Sequence, residues 1–122
     1  MQRERHSNGA AFEAEYGYCR AVRAGPMIFV SGTTAPAADL EAEFAGAAAR
    51  VAEALQALGA SMDDVVRTVV YVRDLSQIAA IAAAHRRAFG KARPASTVIE
   101  VGGLTPPEAR LELEVTAVVP GP

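Results

Sequence analysis

The sequence predicts an α+β protein, a single mixed β-sheet with two helices packed on one of its faces. Three observations lead there. Residues Leu111–Val119 alternate strictly: Leu111, Leu113, Val115, Ala117 and Val119 share one side, Glu112, Glu114 and Thr116 the other. That is the period of a half-buried strand. Two segments, Leu40–Leu58 and Ile78–Phe89, repeat apolar residues every three or four positions, as amphipathic helices do. Between them, Val65–Val72 carries valines on both sides, the pattern of a central strand covered on both faces.

Taken in order, residues 1–15 are polar and aperiodic, so a loosely held start with at most a short edge strand is expected. Tyr18–Ala24 and Met27–Thr33 read as a hairpin around Gly25-Pro26. On its first strand Tyr18, Arg20 and Val22 share one face, and Cys19, Ala21 and Arg23 the other. Asp39 suits the N-cap and Gly59 the C′ position of the first long helix, whose stripe is Leu40, Phe44, Ala48, Val51, Leu55 and Leu58. Asp74-Leu-Ser-Gln77 has capping-box spacing. The helix it opens is expected to bury Ile78, Ile81, Ala82, His85 and Phe89 and to stop at Gly90. A further strand, Ser96–Val101, lies between Pro94 and Gly102-Gly103.

The resulting order β-β-α-β-α-β-β contains two crossover helices, which right-handed connections place on one face of the sheet. The opposite face then has no helix over it. Yet Val65–Val72 is apolar on both sides and Val118 lies on the acidic side of the last strand. An oligomer partner is the simplest cover.

Length and composition bound the function. A chain of 122 residues is expected to be one domain, residues 1–122, and 51% hydrophobic with 21% charged residues is an ordinary globular balance. The net charge of −2 offers no footprint for a phosphate backbone, so nucleic acid is not an expected partner. One cysteine fits a reducing compartment. The polar start has no apolar signal core, and no apolar run reaches the ~20 residues of a membrane span. A cytoplasmic protein without membrane contact is expected. Two histidines and one cysteine make no metal cluster of known spacing, and Gly102-Gly103 opens no helix that would cradle a phosphate. No metal or cofactor is expected.

Specific motifs carry a resemblance. Pro94-Ala-Ser-Thr-Val-Ile-Glu-Val-Gly-Gly-Leu104 followed by Leu111-Glu-Leu-Glu, together with Tyr18, Ile28-Phe-Val-Ser-Gly32 and Ala60–Leu75, resembles the RidA/YjgF family of small enamine and imine deaminases. The likeness runs in order along nearly the whole chain. It implies a homotrimer whose three sheets enclose a central β-barrel, with a small-molecule site between neighbouring subunits. In that family one subunit supplies a Tyr, a Ser and an Asn; its neighbour supplies an Arg, a small residue and a Glu. The Arg clamps a substrate carboxylate through two hydrogen bonds. The Glu activates the water that attacks the imine carbon.

Carried over by position, Tyr18 and Ser31 match the family Tyr and Ser, and Glu112 the general base. The Asn position falls on Ala82, the Arg position on Ser96 and the small-residue position on Val98. The chain therefore departs from the family at its anion clamp. Arg20, on the face of Tyr18, and Arg93, just before the last strand pair, are candidate substitutes. Against that stands the plain alternative that Arg20, Arg23 and Arg93 are solvated surface charges. His85 lies near the Asn position, where it is either a packed helix residue or part of the substrate site. Glu114 is a weaker candidate acid than Glu112, and Cys19 is expected to be an inert thiol. Two classes of function stay open. One is an imine- or enamine-directed hydrolase, deaminase or isomerase; the other is a non-catalytic metabolite-binding or chaperone-like trimer. A ribonuclease is the weakest reading, given the acidic balance.

Overall fold

The structure, a computed structural model, describes residues 2–120. Its strands are β1 (Arg3–His6), β2 (Ala21–Ala24), β3 (Met27–Thr33), β4 (Val65–Val72), β5 (Ala95–Glu100) and β6 (Leu111–Val118). Its α-helices are α1 (Ala11–Tyr16), α2 (Leu40–Ala57) and α3 (Ile78–Phe89). The strands form one six-stranded sheet in the order β1-β2-β3-β6-β4-β5. Only the β4–β5 pair is parallel. The expected mixed sheet is present, and it carries three α-helices where two were expected.

The topology explains the layering. β3 and β4 both run antiparallel to β6, so α2 crosses over β6 between parallel strands, and α3 then crosses from β4 to its parallel neighbour β5. Both crossovers move toward the same edge, so right-handedness puts both helices on one face. Between helices and sheet lie Phe44, Val51, Leu55, Ile81 and Phe89 against Ile28, Val70, Val72, Leu111, Leu113 and Val115, each at most 1% exposed. In β6 the buried residues alternate as the sequence pattern required.

Local caps hold α2. The Asp39 carboxylate accepts from the Ala42 amide at 2.8 Å, and Gly59 follows the helix at φ +89, a left-handed position that suits glycine. Arg23 donates from Nη1 to the Leu58 carbonyl at 2.8 Å and from Nε to Gly25 O at 2.9 Å. It therefore joins the first hairpin to the helix end and is not the solvated surface charge considered above. The Glu43 carboxylate, fully buried, accepts from the Arg110 backbone at 2.6 Å and from its Nη1 at 2.9 Å. Arg110 also donates to Ala37 O and Ala38 O, which ties the loop before α2 to the start of β6.

Several local expectations are corrected. The residues before β2 turn out of the strand, because α1 ends at Gly17 (φ +84) and Tyr18 takes up its last turn, its amide donating to Glu13 O. β4 is not covered on both faces within the chain. A bulge between Val65 and Arg67 turns Val65, Thr68, Val70 and Val72 inward and leaves Val66 46% exposed. Asp74 accepts from the Ser76 amide and hydroxyl, opening a single 3₁₀ turn (Leu75–Gln77) before α3. Ile78 and Ala82 are exposed, and α3 buries Ile81, Ala84 and Phe89. The expected stop of α3 at Gly90 holds, and Arg93 just beyond it takes a left-handed φ of 51.

Candidate active site

A second bulge lies in β3. Val30 pairs with Val115 and Thr33 with Leu113, so Ser31 and Gly32 are set off the regular ladder. Bulges commonly re-aim side chains next to functional sites. Here the bulge opens room for the Glu112 side chain, which rises from β6 beside Gly32. A Cβ placed on Gly32 would lie 2.6 Å from Glu112 Oε1.

Around this point the sequence candidates gather. The Ser31 hydroxyl donates to Cys19 O at 2.7 Å, so its lone pairs are what it can offer outward. Arg20 donates through Nη2 to Ser31 O at 3.1 Å, to Gly32 O at 3.0 Å and to the Thr33 hydroxyl. Its guanidinium carbon lies 5.9 Å from the centre of the Tyr18 ring, within cation–π range. Arg20 is thus bound to the bulge, not free on the surface. Tyr18 meets Phe12 and Tyr16 edge-on at 5.9 and 5.8 Å, and those two rings stack at 5.5 Å. Tyr18, Arg20, Ser31 and Glu112 all line one cleft of about 710 Å³, with His6, Phe12, Thr33, Arg50 and Glu53 among its other walls.

The electrostatics of the cleft single out Glu112. Burial raises its carboxyl above the usual glutamate range and the Glu114 charge adds to the rise, while the Arg20 charge works against it. A carboxyl held in this way can exchange a proton nearer neutrality than an exposed one. Glu114 has another partner, accepting from the Tyr71 hydroxyl at 3.0 Å across the sheet. Burial, and then that hydrogen bond, push the Tyr71 phenol up.

The remaining candidates lie elsewhere. His85, Ser96 and Val98 line a separate groove of about 680 Å³ between α3 and β5, together with Ile78, Ile81, Ala82, Arg86, Phe89 and Arg93. Within one chain the grouping differs from the arrangement that the resemblance implied. Glu112 shares its cleft with Tyr18 and Ser31, whereas the Asn-position residue Ala82 lies with Ser96 and Val98. In the groove, Thr68 Oγ1 is 2.8 Å from His85 Nε2 and donates to Ser96 Oγ at 2.7 Å. Burial against Phe89 and Phe44 lowers the His85 pKa below the usual histidine range.

Sequence reasoning missed Thr68, which reads as one polar residue in a valine-rich strand. It also missed Phe12 and Tyr16, which sit on a helix too short for periodicity to register. Among the described residues, no three His, Cys, Asp or Glu side chains converge as metal ligands would. No helix among them is long and apolar enough to cross a membrane.

Comparison with known proteins places this geometry in context. Residues 8–119 match the family model described as Endoribonuclease L-PSP. A 2-iminobutanoate/2-iminopropanoate deaminase of Salmonella typhimurium is 31% identical over 111 residues, covering 83% of this chain and 86% of the relative. An uncharacterized protein of Streptomyces coelicolor is 29% identical over 120 residues, covering 93% of this chain and 90% of its own length. Among solved structures, Rv2704 from Mycobacterium tuberculosis, described as a member of the YjgF/YER057c/UK114 family, superposes with a TM-score of 0.94 at 42% identity. That match covers 97% of this chain and 100% of the other. The YjgF gene product of Escherichia coli matches with a TM-score of 0.77 at 30% identity, over 83% of this chain and 87% of the other.

Proposed function

The chain belongs to the Endoribonuclease L-PSP (YjgF/RidA) family, and on that premise we propose that it is a small-molecule enzyme acting on an imine, an enamine or a related tautomer. The observation that carries this reading is the convergence of Tyr18, Arg20, Ser31 and Glu112 in one cleft, with the Glu112 carboxyl pushed up by burial. Glu112 is the acid/base. As a carboxylate it takes a proton from water as the oxygen bonds to the imine carbon. It passes that proton to nitrogen, giving a carbinolamine, then takes the proton of the new hydroxyl and delivers it to nitrogen as well, so that the carbon–nitrogen bond breaks, ammonia leaves and a carbonyl remains. Tyr18 and Ser31 position the substrate, and the Arg20 charge beside Glu112 favours an anionic one.

The reading includes a homotrimer with the sheets enclosing a barrel, whose intersubunit contacts bring the groove holding His85, Ser96 and Val98 to a neighbour's cleft. Its support is the sheet face turned away from α2 and α3, where Phe29 is 47% and Ile99 47% exposed. A cytoplasmic location belongs to the same reading, supported by the single cysteine. Ribonuclease action, which the family description names, finds no basic track in a chain of net charge −2.

One observation favours a second reading, a non-catalytic metabolite-binding or chaperone-like trimer. Ser96 stands where the family has its carboxylate-clamping Arg, and the Arg20 Nη2 is already committed to β3. Ammonia release from freshly generated 2-iminopropionate and 2-iminobutyrate separates the two. Release that Glu112→Gln abolishes supports the enzyme; no release above background supports the binder.

A further inference from the structure

We propose that Phe12 and Tyr16 determine the specificity of the Glu112 cleft, selecting a substrate whose body is an aromatic ring: the imine or enamine of an aromatic 2-oxo acid. This rests on the imine-directed reading above and names the side-chain class that the same site takes. Residues four apart share one face of a helix, so Phe12 and Tyr16 leave α1 together and stack at 5.5 Å with their planes 6° apart. Neither is packed away: Phe12 is 50% and Tyr16 74% exposed. Both rings line the cleft, as does Tyr18, which meets them edge-on. The chain has four Phe and three Tyr, and one Phe and two Tyr stand on this single wall while Phe44 and Phe89 fill the core. Covering such a cluster of exposed rings with another ring is favourable through both area and geometry.

The wall is held by Glu13. A helix of six residues is not stable by itself, and α1 is fixed from both ends through this one residue. The buried Glu13 carboxylate accepts from the Ser7 hydroxyl at 3.0 Å and the Asn8 amide at 3.2 Å. Its backbone carbonyl accepts from the Gly17 and Tyr18 amides, each at 2.9 Å. The rings thus owe their position to polar anchors and keep exposed surface for a ligand. Elsewhere the cleft is polar, lined by Arg20, Ser31, Arg50, Glu53 and Glu112. Tyr18 joins the two regions, since its ring touches the aromatic pair and lies 5.9 Å from the Arg20 guanidinium carbon. A ligand spanning both carries a polar, reactive head at Glu112 and a planar apolar body on the rings. Size agrees. The cleft of about 710 Å³ falls within the roughly 300–1,000 Å³ of sites for larger ligands, and a three-carbon imino acid would leave most of it empty.

The test uses the full chain in two assays. In the first, ammonia release gives kcat/KM for freshly generated 2-imino-3-phenylpropanoate and 2-iminopropionate, and the ratio of the two is the selectivity. The wild type is expected to favour the aromatic substrate. Phe12→Leu and Tyr16→Leu should each lower the ratio by roughly 2–10-fold, the size of one lost aromatic contact, and Tyr16→Phe should keep it. In the second, which needs no turnover, phenylpyruvate and pyruvate are titrated against the labelled protein by NMR. Phenylpyruvate is expected to bind more tightly and to shift the Phe12 and Tyr16 ring resonances saturably, and both leucine variants should narrow the difference. Equal affinity for the two oxo acids overturns the proposal. So do leucine variants that change sedimentation while the preference for phenylpyruvate stays, because the rings would then be covered by a second copy. Tyr16 is the more exposed of the pair, so its variant decides even if Phe12→Leu does not fold. Absence of ammonia from both substrates removes the deaminase reading, and the oxo-acid titration then decides the aromatic selectivity by itself.

Discussion

The carboxylate of Glu112 occupies the space that a side chain at Gly32 would need. A Cβ at Gly32 would lie 2.6 Å from Oε1, 2.7 Å from Cδ and 3.1 Å from Cγ of Glu112. Gly32 does not have positive φ, so its value here is room, not backbone freedom. Gly32→Ala should leave the fold intact and swing the carboxylate away from Ser31 and Arg20. A displacement of that order costs about 10²-fold in rate when the moved group does the chemistry. Turnover of an iminoacid substrate, measured beside the melting temperature, checks both halves.

Glu112 also ties the site to stability. Its folded pKa is raised above the unfolded value. The stability it contributes is therefore complete below the unfolded pKa and lost as pH rises through the folded one. Glu112→Gln, which never ionises, should melt higher than the wild type near neutral pH. The two should converge below about pH 4.3, where an unfolded glutamate is protonated. Melting curves across that range read the sign directly.

The pair of Glu43 and Arg110 makes an opposite case. Glu43 is fully buried, whereas the Arg110 side chain is 42% exposed. Removing the arginine strands a buried carboxylate that keeps only backbone donors. Arg110→Ala should therefore destabilise by about 3 kcal/mol or more. Glu43→Gln, which strands no charge, should cost less. Urea unfolding midpoints of the two variants give the comparison.

If the outer sheet face is an interface between copies, a charge placed there should prevent association. Phe29 is 47% and Val66 46% exposed in the single chain. Val66→Lys is expected to sediment as a monomer where the wild type sediments as a trimer. A monomeric wild type would remove the intersubunit part of the account.

Much of the layering was legible because it rests on periodicity. The alternation of Leu111–Val119 named the buried face of β6, and the spacing from Leu40 to Leu58 named α2. Tyr18 and Arg20 do meet at the cleft, but not through the strand alternation that the sequence suggested, because β2 begins only at Ala21 and Tyr18 belongs to the last turn of α1. Features that break a period were not legible. The bulge at Val65–Arg67 shifts the β4 faces by one residue, and only the pairing with β6 reveals it. In α3, Ile81 and Phe89 are buried as the stripe required, but Ile78 and Ala82 are exposed. Long-range polar partners left no local trace either: Glu43 lies 67 positions from Arg110, and Thr68 28 from Ser96. The separation of His85, Ser96 and Val98 from the Glu112 cleft is likewise a matter of which sheet edge each element occupies.

The central claim is that Glu112 does the chemistry of the cleft, and its most direct test is the initial rate of ammonia release from 2-iminopropionate by wild type and Glu112→Gln. The account predicts measurable release by the wild type and a loss of about 10²–10⁴-fold in the variant, the usual worth of a general base. Equal rates in a folded Glu112→Gln would contradict it.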